Sequence, residues 1–438
     1  MIGLLKGVLR LLKGALRLPL RMPLPRLAGR AYPKVLGPAD PWLAAAIVGL
    51  VAFGVVMVFS ASAVFAAQRY GNALHFLTRQ SIFALVGCVV LFGVARVDYH
   101  RYRALTYPAL GVSIFMLLIV AVGLGRSAGG AARWIAVGPV NIQPAEPAKV
   151  ALILWLAYSL SKKAGRMGNF SVGFLPHVLM AGMLMLLCLM QPDFGSAVMI
   201  AALTFVLLFT AGARIKDLFG GVMIAVPAAA ALVLLSPYRM RRIQAFLAPF
   251  EHRDTIGYQV AESIMSFGAG GITGVGIGDS RQKLLFLPEA HTDFISAIVG
   301  EELGFVGIFA LIGAYAFVVW RGLLAARHAP DDYGTYLATG ITVFIGLQAM
   351  TNLGVATGLL PTKGLVLPFL SYGGSSLLVN CAAAGLLLNV SRPRRPLPRH
   401  ADSSEPIPEP TPRRTSRKSK GRKNKGRKHA PPILEGRA

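Results

Sequence analysis

The sequence predicts an all-α membrane protein that crosses the bilayer about ten times, with a long external loop between the seventh and eighth helices. Three observations support this fold class. Apolar residues occupy 54% of the 438 positions, whereas charged residues occupy only 15%. Apolar runs long enough to cross a bilayer as helices recur through residues 42–391. The formal net charge is nevertheless +26, and much of it lies in the two ends of the chain. This combination excludes an ordinary soluble domain.

The two ends are predicted to be basic cytoplasmic segments outside the membrane domain, which spans 42–391. Residues 1–41 contain eight Lys and Arg and one acid, and residues 392–438 contain fifteen and four. Within the first end, residues 2–17 carry cations at helical spacing opposite a leucine-rich face, which predicts an amphipathic helix on anionic lipid. The second end mixes Pro, Ser and dense Lys and Arg. This composition favours a disordered tether to anionic lipid over nucleic-acid binding.

Hydropathy predicts ten transmembrane helices between these ends, because every backbone amide in lipid must be bonded within its own segment. The predicted helices lie near 42–64, 76–96, 104–124, 146–161, 174–191, 196–213, 218–236, 294–320, 335–358 and 375–391. Basic residues fall in alternate short loops, so the positive-inside rule predicts that these loops and both termini are cytoplasmic. These residues are Arg101, Arg103, Lys162, Lys163, Arg166, Arg214, Lys216, Arg321 and Arg327.

The opposite loops are predicted to be external, near 65–75, 125–145, 192–195, 237–293 and 359–374. The loop 237–293 is too long and too rich in Gly and charged residues to be a simple connection, so we expect the chemistry there. The cysteines lie far apart in apolar runs and predict no disulfide. They are Cys88, Cys188 and Cys381.

The strongest polar cluster is LPEAHTDF at 287–294, directly before an apolar helix. It carries Glu289, His291 and Asp293 at alternate positions. Asp293 could act as a general base. Alternatively, Thr292 or Asp293 could cap the helix that follows. His291 with its neighbouring carboxylates could also hold a divalent cation, although the spacing matches no strong metal signature. The residues alone leave these alternatives open.

A second cluster, YRMRRI at 238–243, contains Arg239, Arg241 and Arg242. Guanidinium groups bind phosphate through paired hydrogen bonds, so this cluster suits a pyrophosphate. Contact with lipid headgroups at the membrane edge is the simpler alternative, and the sequence slightly favours it.

A third segment, 132–149, contains Arg133 and Trp134 in an external loop and Glu146 and Lys149 at a helix start. Trp134 could be an ordinary interfacial aromatic residue. Glu146 and Lys149 could simply pair with each other. The Gly-rich run 267–280 lacks the strand and the GK[ST] ending of nucleotide loops, so we expect tight turns instead.

Several motifs together resemble the SEDS family of peptidoglycan glycosyltransferases, named for shape, elongation, division and sporulation. The resemblance extends over nearly all of residues 42–391, and its PTKGL and LPFLSYGGSSL segments resemble the division branch. One departure is Ala145, where the family commonly has serine in QPSE. The motifs are QPAEPAK (143–149), QPDFGSA (191–197), YRMRRI (238–243), GYQVAESIMSFGAGGITGVGIGDSRQKLLFLPEAHTDF (257–294), EELGFVG (301–307) and GLLPTKGLVLPFLSYGGSSLL (358–378).

The resemblance implies that the protein polymerises lipid II at the outer face of a bacterial cytoplasmic membrane, at the division septum. An inverting transfer would release undecaprenyl pyrophosphate, with Asp293 matching the catalytic aspartate. Substrate-binding roles are implied for the other motif residues. These are Glu289, His291, Arg133, Trp134, Glu146, Lys149, Arg239, Arg241, Arg242 and Lys363.

The resemblance also implies partners: a class B penicillin-binding protein that cross-links the strands, and other membrane proteins of the division machinery. No nucleic acid is expected. A divalent cation could assist the arginines, and the sequence leaves this open. Two other functions remain as alternatives, a lipid II flippase using Glu301 and Glu302 as a proton relay, and a scaffold without catalysis.

Overall fold

The computed structural model describes residues 37–394 except 129–130, 139, 284–286 and 363. The predicted amphipathic helix at 2–17, nearly all of the tail from 392 onward, and Lys363 lie outside the described residues. The division of the chain into a membrane domain and two basic ends therefore stays a prediction.

Twelve α-helices occur in the described part of the chain. They are α1 (Pro41–Tyr70), α2 (His75–Arg96), α3 (Thr106–Ile119), α4 (Ala145–Lys162), α5 (Leu175–Met190), α6 (Phe194–Thr210), α7 (Ile215–Leu234), α8 (Pro237–Leu247), α9 (Tyr258–Gly270), α10 (Ile295–Arg327), α11 (Asp332–Ala356) and α12 (Gly374–Val390). Local signals set their ends: the Asp40 carboxylate accepts hydrogen bonds from the first amides of α1, and Gly71 ends that helix in the left-handed conformation.

A helix is present at each of the ten predicted positions, as α1–α7 and α10–α12. Within the described residues, seven helices are long and apolar enough to cross a membrane. They are α1, α2, α3 with its flanking turns, α5 with the turn before it, α7, α10 and α11. The helices α6 and α12 are apolar but shorter, and α4 carries Glu146, Lys149 and Lys162. The fold class is therefore confirmed as a polytopic helical membrane protein.

The prediction of an all-α chain missed a small sheet in the loop between α3 and α4. Strands β1 (Arg126–Ala128), β2 (Ala131–Val137) and β3 (Val140–Ile142) form an antiparallel sheet in the order β1-β2-β3. The segment RWIAV within β2 favours a strand because it is rich in β-branched and aromatic residues. The strand was not predicted because it is short and its sequence signal is weak compared with the hydropathy signal of the helices. The sheet matters because β2 carries Arg133.

The long loop 237–293 contains two helices, α8 and α9. Helix α9 packs beside the first part of α10, and the Gly-rich segment after α9 reaches α10 where that helix is interrupted at Gly304. Gly304 lies nine residues after the start of α10, a depth of about 14 Å at the rise of an α-helix. The segment 258–283 is therefore a hairpin that enters the membrane and turns back.

The interruption at Gly304 leaves backbone groups that this hairpin satisfies. The amides of Val275 and Gly276 donate to the carbonyls of Glu301 and Glu302, at 3.0 and 3.1 Å. In return, the amides of Phe305 and Val306 donate to the carbonyls of Gly271 and Ile272, at 2.9 and 3.1 Å. These four groups would have bonded to one another in an unbroken helix. Non-helical backbone at membrane depth is stable only when it is bonded in this way.

Two buried carboxylates fix the far side of the hairpin. The Glu301 side chain accepts hydrogen bonds from the Ser280 hydroxyl and, at 2.8 Å, from the Arg281 amide. The Glu302 side chain accepts from the Ser60 hydroxyl at 2.6 Å and pairs with the Lys283 ammonium at 3.2 Å. Both glutamates are almost fully buried. They therefore have structural partners on the hairpin and on α1.

The hairpin contact predicts that Gly304→Ala strongly destabilises the protein. A Cβ at this position would lie 2.4 Å from the Gly274 nitrogen, and the φ of +63° is unfavourable for any residue with a side chain. We expect the free energy of unfolding to fall by about 2–4 kcal/mol. Thermal unfolding in bilayer nanodiscs measures this, with Gly313→Ala on the same helix as the control, since nothing lies within 4 Å of that Cβ. Equal melting temperatures would contradict the prediction.

A network of ion pairs lies at one end of the helix bundle, the end where the described part of the chain starts and finishes. Asp331 accepts a hydrogen bond from Arg103 at 2.6 Å. Arg394 pairs with Asp98 at 3.1 Å. Burial would raise the pKa of Asp98, but hydrogen bonds from His100 and the nearby charges of His100 and Arg394 outweigh it and lower this pKa to about 2. These contacts join α2, α3, α11 and α12. We call this end of the bundle the basic end.

Candidate active site

A cleft opens at the end of the bundle opposite the basic end. Its walls are the start of α6, the last turn of α7, one face of α8, and Pro361, Thr362 and Gly364 from the connection between α11 and α12. Arginine guanidinium groups and the apolar side chains of Phe194, Val233 and Ile243 line the same space. The lining suits a ligand that is both anionic and apolar.

Three arginines from two separate segments meet at this cleft. They are Arg133 on β2, and Arg239 and Arg242 on α8. Arg133 donates to the Gln191 carbonyl at 3.2 Å, and Arg242 donates to the Thr362 carbonyl at 3.0 Å. A guanidinium has five N–H donors, so these bonds fix its position and leave other donors for an anion. Arg239 donates to the Leu232 carbonyl at 2.8 Å.

Asp293 borders the cleft across Gly364. Its Oδ2 lies 3.5 Å from the position of a Cβ on Gly364, and the Arg133 Nη1 lies 3.8 Å from that same point. The Asp293 carboxylate and a cleft arginine therefore face one small space. Protein atoms surround the carboxylate even though part of the residue remains exposed.

This environment shifts the protonation of Asp293. Burial raises its pKa, the carboxylate of Glu289 raises it further, and the charges of Arg242 and Arg133 partly oppose both, so that the pKa is about 7. A carboxylate with a pKa near the working pH is a stronger base than one with the usual value of about 3.9.

The capping alternative for this segment is wrong. Helix α10 begins at Ile295, and its N-cap is Phe294, which makes no side-chain capping hydrogen bond. The Thr292 hydroxyl donates to Glu289 instead, at 2.7 Å to the carboxylate. The Asp293 side chain therefore does not cap the amides of α10 and is free to face the space beside Gly364.

The other members of the motif do not lie beside Asp293 at the border of the cleft. The His291 ring packs among Phe65, Phe76 and Tyr372, with ring centres 5.8, 4.6 and 5.7 Å away. Burial lowers the pKa of His291, although the charge of Glu289 opposes this. His291 therefore supports the segment as a neutral ring. Glu289 is exposed and acts on Asp293 through its charge.

This packing answers the question of a metal site. Because the His291 ring lies in the aromatic cluster, it is not placed beside the Asp293 carboxylate as a ligand would be. Nowhere in the described ranges do three His, Cys, Asp or Glu side chains form a group that could hold a metal ion. The residues present at this motif do not fit a divalent cation.

The remaining predicted residues lie around the cleft but not in its lining. Glu146 and Lys149 are buried and pair at 2.7 Å, and Gln348 donates to the same carboxylate at 3.1 Å, so the simple pairing alternative describes them. Arg241 is exposed on another face of α8 from Arg242. Trp134 follows Arg133 on β2 and is half-buried.

Comparison with known proteins identifies the family. The model of the FtsW/RodA/SpoVE family, described as cell cycle proteins, matches residues 41–396. The chain belongs to this family. It is 48% identical over 346 residues to a probable peptidoglycan glycosyltransferase FtsW of Trichlorobacter lovleyi, which covers 79% of this chain and 91% of the relative. It is 41% identical over 346 residues to the stage V sporulation protein E of Bacillus subtilis, with 78% and 94% of the two chains covered.

Solved structures of the family share the fold. One belongs to a study of the "structural coordination of polymerization and crosslinking by a peptidoglycan synthase complex", with a TM-score of 0.68 and 31% identity over 81% of this chain and 98% of that one. Another is the rod shape determining protein RodA of Thermus thermophilus, with a TM-score of 0.60 and 30% identity over 81% and 97%. This family member therefore shares both sequence and architecture with the SEDS proteins.

Sequence reasoning missed Asn352, a residue of this family member that contacts the segment carrying Asp293 directly. Asn352 is 2% exposed on α11, and its amide donates to the Asp293 carbonyl at 2.7 Å. A signal was present, since TNLGV places a polar amide inside an apolar helix, where burial without partners is costly. Asp193, which lines the cleft, was also missed; it caps α6 by accepting from the Ser196 amide at 3.0 Å.

Proposed function

We propose that this chain is a peptidoglycan glycosyltransferase that polymerises lipid II at the outer face of the cytoplasmic membrane during cell division. The single observation that carries the proposal is that the carboxylate of Asp293 borders, across Gly364, the cleft with apolar walls that Arg133 and Arg242 line. A relative at 48% identity is named a probable peptidoglycan glycosyltransferase.

The cleft residues suit the transfer in distinct ways. The GlcNAc 4-hydroxyl of one lipid II molecule attacks the anomeric carbon of another, and its proton passes to the Asp293 carboxylate. A new glycosidic C–O bond forms, the bond from that carbon to the phosphate breaks, and its electron pair leaves with undecaprenyl pyrophosphate. Attack from the face opposite the leaving group inverts the anomeric carbon. Arg133, Arg239 and Arg242 would stabilise the charge on the departing pyrophosphate.

The pKa of Asp293 predicts the pH dependence of this reaction. A carboxylic acid is a base only above its pKa, so turnover should rise with pH through about 7. An aspartate with the usual pKa would already be ionised and would give a flat profile there. Initial rates with saturating lipid II between about pH 5 and pH 9 measure the dependence. A flat profile through pH 7 would exclude a raised pKa in the working enzyme.

A polymerisation assay tests the function. Purified protein in vesicles receives labelled lipid II, and the glycan products are separated by length. Glycan chains support the proposal, whereas movement of lipid II across the bilayer without chains would favour a flippase. Neither product would favour a scaffold. The partners that Glu301 and Glu302 find on the hairpin and on α1 argue against a proton relay.

The remaining assignments are predictions. The cytoplasmic location of both termini follows from the positive-inside rule. Location at the septum and a class B penicillin-binding protein as the cross-linking partner rest on the resemblance. A related solved structure is itself described as a complex that coordinates polymerisation and crosslinking. Running the same assay with and without the cognate transpeptidase would measure the contribution of that partner.

A further inference from the structure

Asn352 lies where three parts of the active site approach one another. It belongs to the last turns of α11 and is 2% exposed. On one side of it is the segment that carries Asp293 and begins α10. On the other side is the connection between α11 and α12, which borders the cleft at Gly364.

The whole amide of Asn352 is engaged in hydrogen bonds. Its Nδ2 donates to the Asp293 carbonyl at 2.7 Å and to the Leu365 carbonyl at 2.8 Å. Its Oδ1 accepts from the Ser296 hydroxyl at 3.2 Å. The two carbonyl partners define which atom of the amide is nitrogen, because carbonyl groups can only accept.

These bonds connect the two sides of the reacting space. The Asp293 carbonyl belongs to the same residue as the proposed base. Leu365 directly follows Gly364, which is the residue between the Asp293 carboxylate and the Arg133 guanidinium. One side chain therefore sets the separation between the base and the segment that faces the phosphate-binding arginines. A catalytic group misplaced by about 1 Å can lose on the order of 10²-fold in rate.

We propose that Asn352 is a positioning residue of the glycosyl transfer. Its side chain joins the Asp293 backbone to the Gly364–Leu365 segment and so fixes the distance between the base and the phosphate-binding arginines. The proposal rests on the proposed role of Asp293. It assigns to Asn352 an effect on the chemical step rather than on the binding of lipid II.

Two variants of Asn352 test the proposal. Asn352→Ala removes all three bonds, and Asn352→Asp keeps the side-chain volume but sets a carboxylate against two carbonyl oxygens. We expect kcat to fall by about 10–10²-fold for each, while KM for lipid II changes only by a few-fold. For Asn352→Ala, the acidic limb of the rate against pH should move to lower pH, because a released Asp293 carboxylate can approach water or the arginines.

Asn380→Ala is the matched control. Asn380 is also fully buried, but its amide donates within its own helix, to the Ser376 carbonyl at 2.9 Å on α12. Turnover is expressed per folded molecule, measured by size-exclusion chromatography. If the Asn352 variants fold poorly, Ser296→Ala provides a milder test, since it removes only the hydrogen bond to Oδ1. We then expect a fall in kcat of up to about 10-fold and the same direction of pH shift.

The outcomes distinguish a failure of the positioning role of Asn352 from a failure of the role of Asp293 as the base. Wild-type kcat and an unchanged pH profile in folded Asn352 variants would overturn the positioning role. An equal loss in folded Asn380→Ala would overturn it as well, because a general packing effect would then explain the data. Asp293→Asn is measured in parallel. If that variant keeps wild-type turnover, the assignment of the base fails, and the positioning role fails with it.

Discussion

Replacement of Asp293 by asparagine should abolish polymerisation while the protein remains folded and inserted. Asparagine preserves the size of the side chain but cannot accept a proton, so the loss should reach about 10²–10⁴-fold, the usual contribution of a general base. The substitution also relieves the protein of a carboxylate that is costly to ionise in its buried position, so folding should not suffer. Initial rates with labelled lipid II measure the effect.

The matched control is Asp254→Asn in the same long loop. Asp254 is exposed, so the same chemical change there should leave turnover near that of the wild type. Full turnover in Asp293→Asn would remove this residue from the chemistry. A similar loss in both variants would point to a general effect of charge in the loop.

The second large effect is expected for Arg242→Lys and Arg133→Lys. Both changes keep the positive charge, but an ammonium cannot reproduce the planar pair of donors that binds a phosphate. Loss of one electrostatic donor costs about 10²–10³-fold in other enzymes, and we expect turnover to fall by a similar factor. Protein level should change much less. Because the charge next to Asp293 is retained, the midpoint of the pH profile should stay close to that of the wild type.

Helix α8 supplies its own control for this experiment. Arg241→Lys changes the next residue along the helix, but Arg241 is exposed and outside the lining of the cleft. Wild-type turnover in Arg241→Lys together with a large loss in Arg242→Lys would support phosphate binding by the cleft face. Equal and small effects in the two variants would instead favour contact with lipid headgroups.

Hydropathy predicted the membrane helices well because the energetic signal is strong and local. A polar backbone group left unbonded in lipid is so costly that each apolar run must be helical. Boundaries were less accurate: α1 continues to Tyr70, beyond the predicted end at 64, because the end of a helix depends on a left-handed glycine and not on the membrane edge. The hairpin 258–283 was not predicted, because its position depends on the break in α10 at Gly304.

The candidate site was predictable in part. Asp293, Arg133, Arg239 and Arg242 were identified from residue types and family resemblance, and the structure brings them to one end of the bundle. Arg241 differs from Arg242 because consecutive residues on a helix point in different directions. The side chains of His291 and Asp293 also have different neighbours, because the segment that carries them is a series of turns and not a regular strand.

The weak packing of α7 links the cleft to the bilayer itself. In the described structure only Leu218 of this helix is buried, while its last turn and α8 form the cleft wall that carries Arg239 and Arg242. A helix surrounded mainly by lipid adjusts its tilt to the hydrocarbon thickness, at a cost of fractions of a kcal/mol per ångström of mismatch. We therefore expect the acyl-chain length of the surrounding lipid to affect the shape of the cleft, so that rates in short-chain detergent and in native-length phospholipid should differ.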